Sequence, residues 1–322
     1  MNLAAELKRY STALLLGAVA AVFYGTVALA PAFLVPHQVS GTGRGVKSMF
    51  VSSAVAMAGI AIWQTVLLSK AGVLSGATIA LGISVPLALV VALAMMAMKQ
   101  FSGIQFALKA LLGGLLASLA CLPSFVFALK DDGLRQMFMD TFMAASTAIG
   151  AEMPDTDRIW DVVKTGVASS FGAILFIFLF SSAWIGTRFG RIVFHVGTDS
   201  DDASLPPPLP EYRLPPALVW VLLGSWASLL LARFYPSLIL SAVASNATLA
   251  LSICYGVQGL AVAGAVAERA GLATAARLLG PVAVILLLVG GTAGLIVAGA
   301  IALVGTLETW IPFRAVTKGD SP

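Results

Sequence analysis

Residues 278–307, LLGPVAVILLLVGGTAGLIVAGAIALVGTL, run for 30 positions without an ionisable side chain. A helix rises about 1.5 Å per residue, so about 20 apolar residues cover a hydrocarbon core about 30 Å thick. Residues 236–267 repeat the pattern over 32 uncharged positions. Residues 11–35, 48–68, 71–98, 101–129, 165–187 and 217–231 are also long and apolar, with almost no charge inside them. A water-soluble domain has no way to cover so many such segments. The spacing predicts an all-α polytopic transmembrane helix bundle of about eight spans.

Composition points the same way. Only 11% of the 322 residues are charged, against about 25% in soluble domains, and mean hydropathy is +0.96. The 31 glycines suit helices that pack closely in lipid, where small residues let backbones approach. The net charge of +4 comes without a basic run, so the expected partner is a lipid bilayer and not nucleic acid. Cys121 and Cys254 fall in separate apolar runs and read as small hydrophobes, not as a disulfide or a metal pair.

The chain divides into a five-span half (residues 1–187), an acidic and proline-rich connection (188–216) and a three-span half (217–322). The first apolar run exceeds the about 7–15 residues of a signal-peptide core, so it reads as a retained span. Ala13, Gly17 and Ala21 share one of its faces, and Pro36 is expected to end it. HQVSGTGRGVK (37–47) then reads as a glycine-rich loop whose Arg44 and Lys47 are candidate anion ligands. It lacks the Lys-Ser/Thr that a phosphate loop requires. Pro86 should kink the third span, with the freed carbonyl satisfied by a neighbouring helix or by water. Leu134, Met137, Phe138 and Phe142 follow helical spacing within a polar stretch, as in an amphipathic helix lying on the membrane surface or capping the bundle. DSDDASLPPPLPEYRLPP (199–216) reads as a stiff, mobile linker. On this layout Lys and Arg divide ten against nine between the two sides, which leaves the orientation open.

Catalytic chemistry is scarce. His37 and His195 lack partners at metal-ligand spacing, no HExxH, GxSxG or Walker A sequence occurs, and no span carries a central carboxylate. No catalytic, cofactor or metal site is therefore expected. The neutral polar residues of the seventh span, Asn246, Ser252, Tyr255 and Gln258, joined by Gln64 of the second, form either interhelical hydrogen bonds or the lining of a polar cavity. Glu308 is placed to pair with Arg314, Arg44 or Arg233.

SNATLALSICYGVQGLAVAGAVAER (245–269) resembles the signature of the YybS-like family of bacterial membrane proteins, through Asn246, Tyr255, Gln258, Gly259, Leu260, Ala261 and Val262. LPPALVW (214–220) and ETWIPFR (308–314) are similar too. That family is distantly similar to the substrate-binding subunits of energy-coupling-factor vitamin transporters, which dock on an ATPase-driven scaffold. The resemblance implies a non-enzymatic, transporter-like subunit for a small molecule, multi-pass in a bacterial inner membrane, with other membrane subunits as partners. This chain has more spans than the usual six and a long proline-rich loop. A membrane scaffold or accessory subunit is the alternative.

Overall fold

The computed structural model describes residues 3–26, 28–70, 75–148, 156–195 and 206–314, and every regular element among them is helical. The chain forms two compact units, Met1–Pro206 and Pro207–Pro322. The first holds α1 (Leu3–Gly25), α2 (Val35–Arg44), α3 (Val46–Lys70), α4 (Gly76–Met96), α5 (Phe106–Leu129), α6 (Asp132–Ala148) and α7 (Thr156–Phe194). The second holds α8 (Leu218–Phe234), α9 (Leu238–Arg269), α10 (Ala273–Val289) and α11 (Gly291–Leu307). By length and composition α3, α4, α5, α7 and α9 can each cross a bilayer, so this is a multi-pass membrane protein.

The path of the first unit departs from expectation at its start. α1 ends at Gly25, and residues 28–34 form turns that include a short 3₁₀ helix at Ala30–Ala32. Pro36 does not end a span. It sits in the first turn of α2, where a missing N–H costs nothing. The expected loop 37–47 is therefore mostly helix, and Gly45 (φ +82°) makes the corner into α3. Side chains on Gly17 and Gly59 would strike Ser52, Val55 and Ala21, and Gly25 lies against Trp63. These contacts climb α1 and α3 together, so the two helices run parallel. Residues 26–44 supply the return path: Ser40 meets Ser48 and His37 meets Ser52, an antiparallel pairing of α2 with α3.

α4, α5 and α7 then alternate in direction. Cys121 faces the Ser84 carbonyl, and Phe125 stacks on Phe171 while Phe106 meets Trp184. α7 is 39 residues long, so Arg188 and Arg191 belong to its last turns and not to a loop. At that end it lies on α2: Gly186 and Gly190 accept Gln38 and Thr42 at distances that leave no room for a β-carbon. α6 is a helix over the stretch whose apolar residues follow helical spacing. Its Phe138 packs on Phe142 and Trp160, and the Asp131 carboxylate caps it by accepting from Leu134 N–H at 2.8 Å. That bond, with help from the Ser75 side chain, holds the Asp131 carboxyl below its ordinary range.

In the second unit the expected eighth span is two 17-residue helices. Eight residues of straight helix would separate Leu286 from Gly294 by about 12 Å, yet a β-carbon on Gly294 would overlap the Leu286 carbonyl. Gly291, at φ +52°, permits that reversal. α11 therefore returns parallel to α9. The two cross at Gly259 and Gly305, and Arg269 still reaches the carbonyls of Phe313 and Arg314. In an antiparallel pair Arg269 would lie about 15 Å beyond the crossing, on the far side from Phe313.

The extra return segment changes the charge arithmetic. In the first unit Lys8, Arg9, Arg44, Lys47, Lys99, Lys109, Arg188 and Arg191 now share one end, against Lys70, Lys130, Arg135, Arg158 and Lys164 at the other. In the second unit Arg213, Arg269, Arg277 and Arg314 share an end, against Arg233. Short connections rich in Lys and Arg stay in the cytoplasm, so each unit's basic end is expected there. The test uses single added cysteines, since native Cys121 and Cys254 are buried. A membrane-impermeant maleimide applied to sealed cells should label Asp140→Cys and spare Lys47→Cys; the opposite pattern would invert this orientation.

Candidate functional site

The first unit buries its polar groups around the broken stretch between α1 and α2. His37 is fully buried, and its Nδ1 lies 3.0 Å from Ser52 Oγ. Ser52 is six residues into α3, about 9 Å along a helix about 37 Å long. Ser40 and Ser48 pair at 2.8 Å, Gln38 donates to Thr187 Oγ1 at 2.8 Å, and Ser182 donates to the Pro31 carbonyl. α3 and α7 thus hold the stretch by side-chain bonds, in addition to the turn bonds within it, such as those from the Leu29 and Ala30 N–H groups to the Thr26 carbonyl. Three buried polar atoms of this region have no partner among the described residues, His37 Nε2, Thr42 Oγ1 and Ser53 Oγ. An ionisable side chain with an open nitrogen at this depth is the kind of group that marks a solute or ion path.

A second polar layer lies nearer the other end. Pro86 lacks the N–H that would bond the Gly82 carbonyl four residues earlier. Tyr24 Oη donates to that carbonyl at 3.1 Å. Gln64 lies against Gly82 and bonds the same tyrosine hydroxyl. The expected neighbour for the freed carbonyl is thus Tyr24, and Gln64 is engaged in this repair.

Arg44 and Lys47 sit where α2 ends and α3 begins. With Tyr10, Gly45, Val46 and Ser48 they bound an open cavity of about 350 Å³. The Arg44 guanidinium lies over the Phe194 ring, 5.7 Å from its centre.

In the second unit the seventh-span residues do not act as one group. Gln258 Oε1 accepts from Leu214 N–H at 2.8 Å, and its Nε2 donates to the Gly305 carbonyl at 2.9 Å. Gly305 lies in the last turn of α11, where the Val304, Thr306 and Leu307 carbonyls accept from N–H groups of residues 308–311 and that of Gly305 accepts from Gln258. Tyr255 is fully buried against Gly305. Asn246 donates to the Ala242 carbonyl of its own helix, Thr248 bonds Ser225, and Ser252 is half-buried. Gln64 belongs to the other unit.

The proline-rich stretch is likewise not free along its described part. Residues 206–216 lie along α9, with Tyr212 and Leu214 buried. Arg314 holds them: it forms a buried two-pronged pair with Glu308 and donates to the carbonyls of Pro210 and Tyr212. Glu308 thus takes Arg314 of the three arginines open to it. The acidic residues 199–202 lie outside the described residues.

Sequence reading passed over His37 and Tyr24. Pro31 and Pro36, five residues apart, carried the signal for a break followed by a new helix start. Pro86 pointed to Gly82, but not to the tyrosine that bonds it. No family model matches the chain, and neither does any curated protein or solved structure.

Two substitutions test these assignments by thermal unfolding in detergent. Tyr24→Phe should cost about 1–3 kcal/mol by stranding the Gly82 carbonyl, and Pro86→Ala, which restores the helix N–H, should abolish most of that loss. Equal losses in both backgrounds would deny the repair. Gln258→Leu strands two buried groups and should cost about 2–4 kcal/mol, whereas Asn246→Leu should stay within about 1 kcal/mol; the reverse order would contradict the assigned bonds.

Proposed function

We propose that this is a non-enzymatic, transporter-like membrane protein that binds a small polar molecule in its first unit and depends on an energising partner. The observation that carries the reading is the interrupted path of residues 26–44, which places His37, with an open ring nitrogen, among buried serines. Interrupted helices at membrane depth are the way transporters present polar groups to a solute. Ser52 and His37 form a bonded pair, which ties the buried imidazole to α3. The energising partner and a bacterial inner membrane are what the resemblance to the YybS-like family adds.

The features that would favour a scaffold are engaged inside the protein. The small-residue face of α1 lies on α3, Gly305 lies on α9, and the described proline stretch lies on its own unit. For the binding reading, the protein should be purified in native-lipid particles and its small molecules identified by mass spectrometry. A polar solute should co-purify and be lost in His37→Ala, while Gln258→Asn retains it. Particles holding lipid alone, or a solute indifferent to His37, would contradict the proposal.

A further inference from the structure

We propose that the cavity bounded by Tyr10, Arg44, Gly45, Val46, Lys47 and Ser48 is a binding site for the phosphate of an anionic phospholipid headgroup. It is independent of the solute site around His37.

Charge comes first. The cavity opens at the end of the first unit that gathers Arg44, Lys47, Arg188 and Arg191, whereas Asp131, Asp132, Asp140 and Asp161 all lie at the other end. A phosphate entering here meets two exposed cations and no carboxylate among the lining residues. Geometry adds to this. The Gly45 corner leaves open space where a side chain would stand, so an oxygen can approach the main chain. The first N–H groups of α3, at Val46 and Lys47, precede its first hydrogen-bonded turn, because Ser48 and Met49 already donate to the Gly45 carbonyl. Phe194 orders the Arg44 guanidinium from one side.

A lipid fits better than a soluble anion because of what flanks the opening. Phe50, 49% exposed, lies three residues after Lys47 and on the same helix face. Leu15, 64% exposed, lies just over one turn beyond Tyr10. A phosphate held by Lys47 would lay its acyl chains along these apolar groups. The expected cytoplasmic placement of this end puts the cavity in the leaflet where anionic lipid attracts basic residues.

Native mass spectrometry of the full chain from nanodiscs of equal phosphatidylcholine and phosphatidylglycerol reads the preference directly. The wild type should retain phosphatidylglycerol. Lys47→Gln should weaken that preference about five-fold and Arg44→Gln/Lys47→Gln about 25-fold, the equivalent of about 1 kcal/mol per basic residue. Arg44→Lys/Lys47→Arg should keep it, as should Lys130→Gln at the opposite end. An unchanged preference in the Lys47→Gln protein overturns the site. Displacement of the lipid by millimolar inorganic phosphate overturns its assignment to a lipid in favour of a soluble anion.

Discussion

A backbone N–H or C=O that enters hydrocarbon must find its partner inside the protein, since no water is there to replace it and an unpaired group costs several kcal/mol. Unbroken helices meet this demand by themselves. This chain departs from unbroken helix at several places, and specific side chains answer several of them. Tyr24 takes the carbonyl that Pro86 releases, and Ser182 donates to Pro31 in the turns before α2. Gln258 serves both a residue before two prolines and the Gly305 carbonyl in the last turn of α11. Arg314 does the same for Pro210 and Tyr212 while paired with Glu308. Removing one member of such a buried pair costs about 3–5 kcal/mol, so these residues fix the path of the chain more than they add contact area.

The second constraint is attraction without a hydrophobic drive. Lipid tails are as apolar as leucine, so helices in a bilayer associate where small residues let backbones touch. Gly17, Gly59, Gly186, Gly190, Gly259 and Gly305 all stand at such crossings. Many large apolar side chains point outward, as Leu15, Ile62, Leu230 and Ile296 do, while others such as Phe33, Met49, Leu93 and Leu179 fill the interior. The glycine crossings let two parallel pairs, α1 with α3 and α9 with α11, lie close together although each needs an extra return segment between its members.

Much of the fold was legible because hydropathy reports it: the all-helical class, the long apolar helices, the helix α6 and the small-residue face of α1. The return segments were not legible for a physical reason. Apolar content is the same whether a stretch goes straight across or folds back, so residues 278–307 look like one long span although Gly290 and Gly291 turn the chain. Residues 37–47 look like a loop because glycine, serine and threonine suit loops. They suit equally a half-helix wedged between α3 and α7, where larger side chains do not fit. Of the polar residues singled out in advance, Gln258 and Gln64 bond across helices, while Arg44 and Lys47 share a cavity. His37 escaped because a histidine between Pro36 and Gln38 in a glycine-rich stretch carries no spacing signal.

The central claim is that residues 35–44 form a helix packed within the bundle, with His37 inside it, and not a loop in water. Hydrogen–deuterium exchange of the protein in lipid nanodiscs, resolved by peptide, tests it most directly. Residues 37–44 should exchange as slowly as the neighbouring turns of α3 and α7. Exchange of that peptide within seconds, at the rate of an unstructured loop, would contradict it.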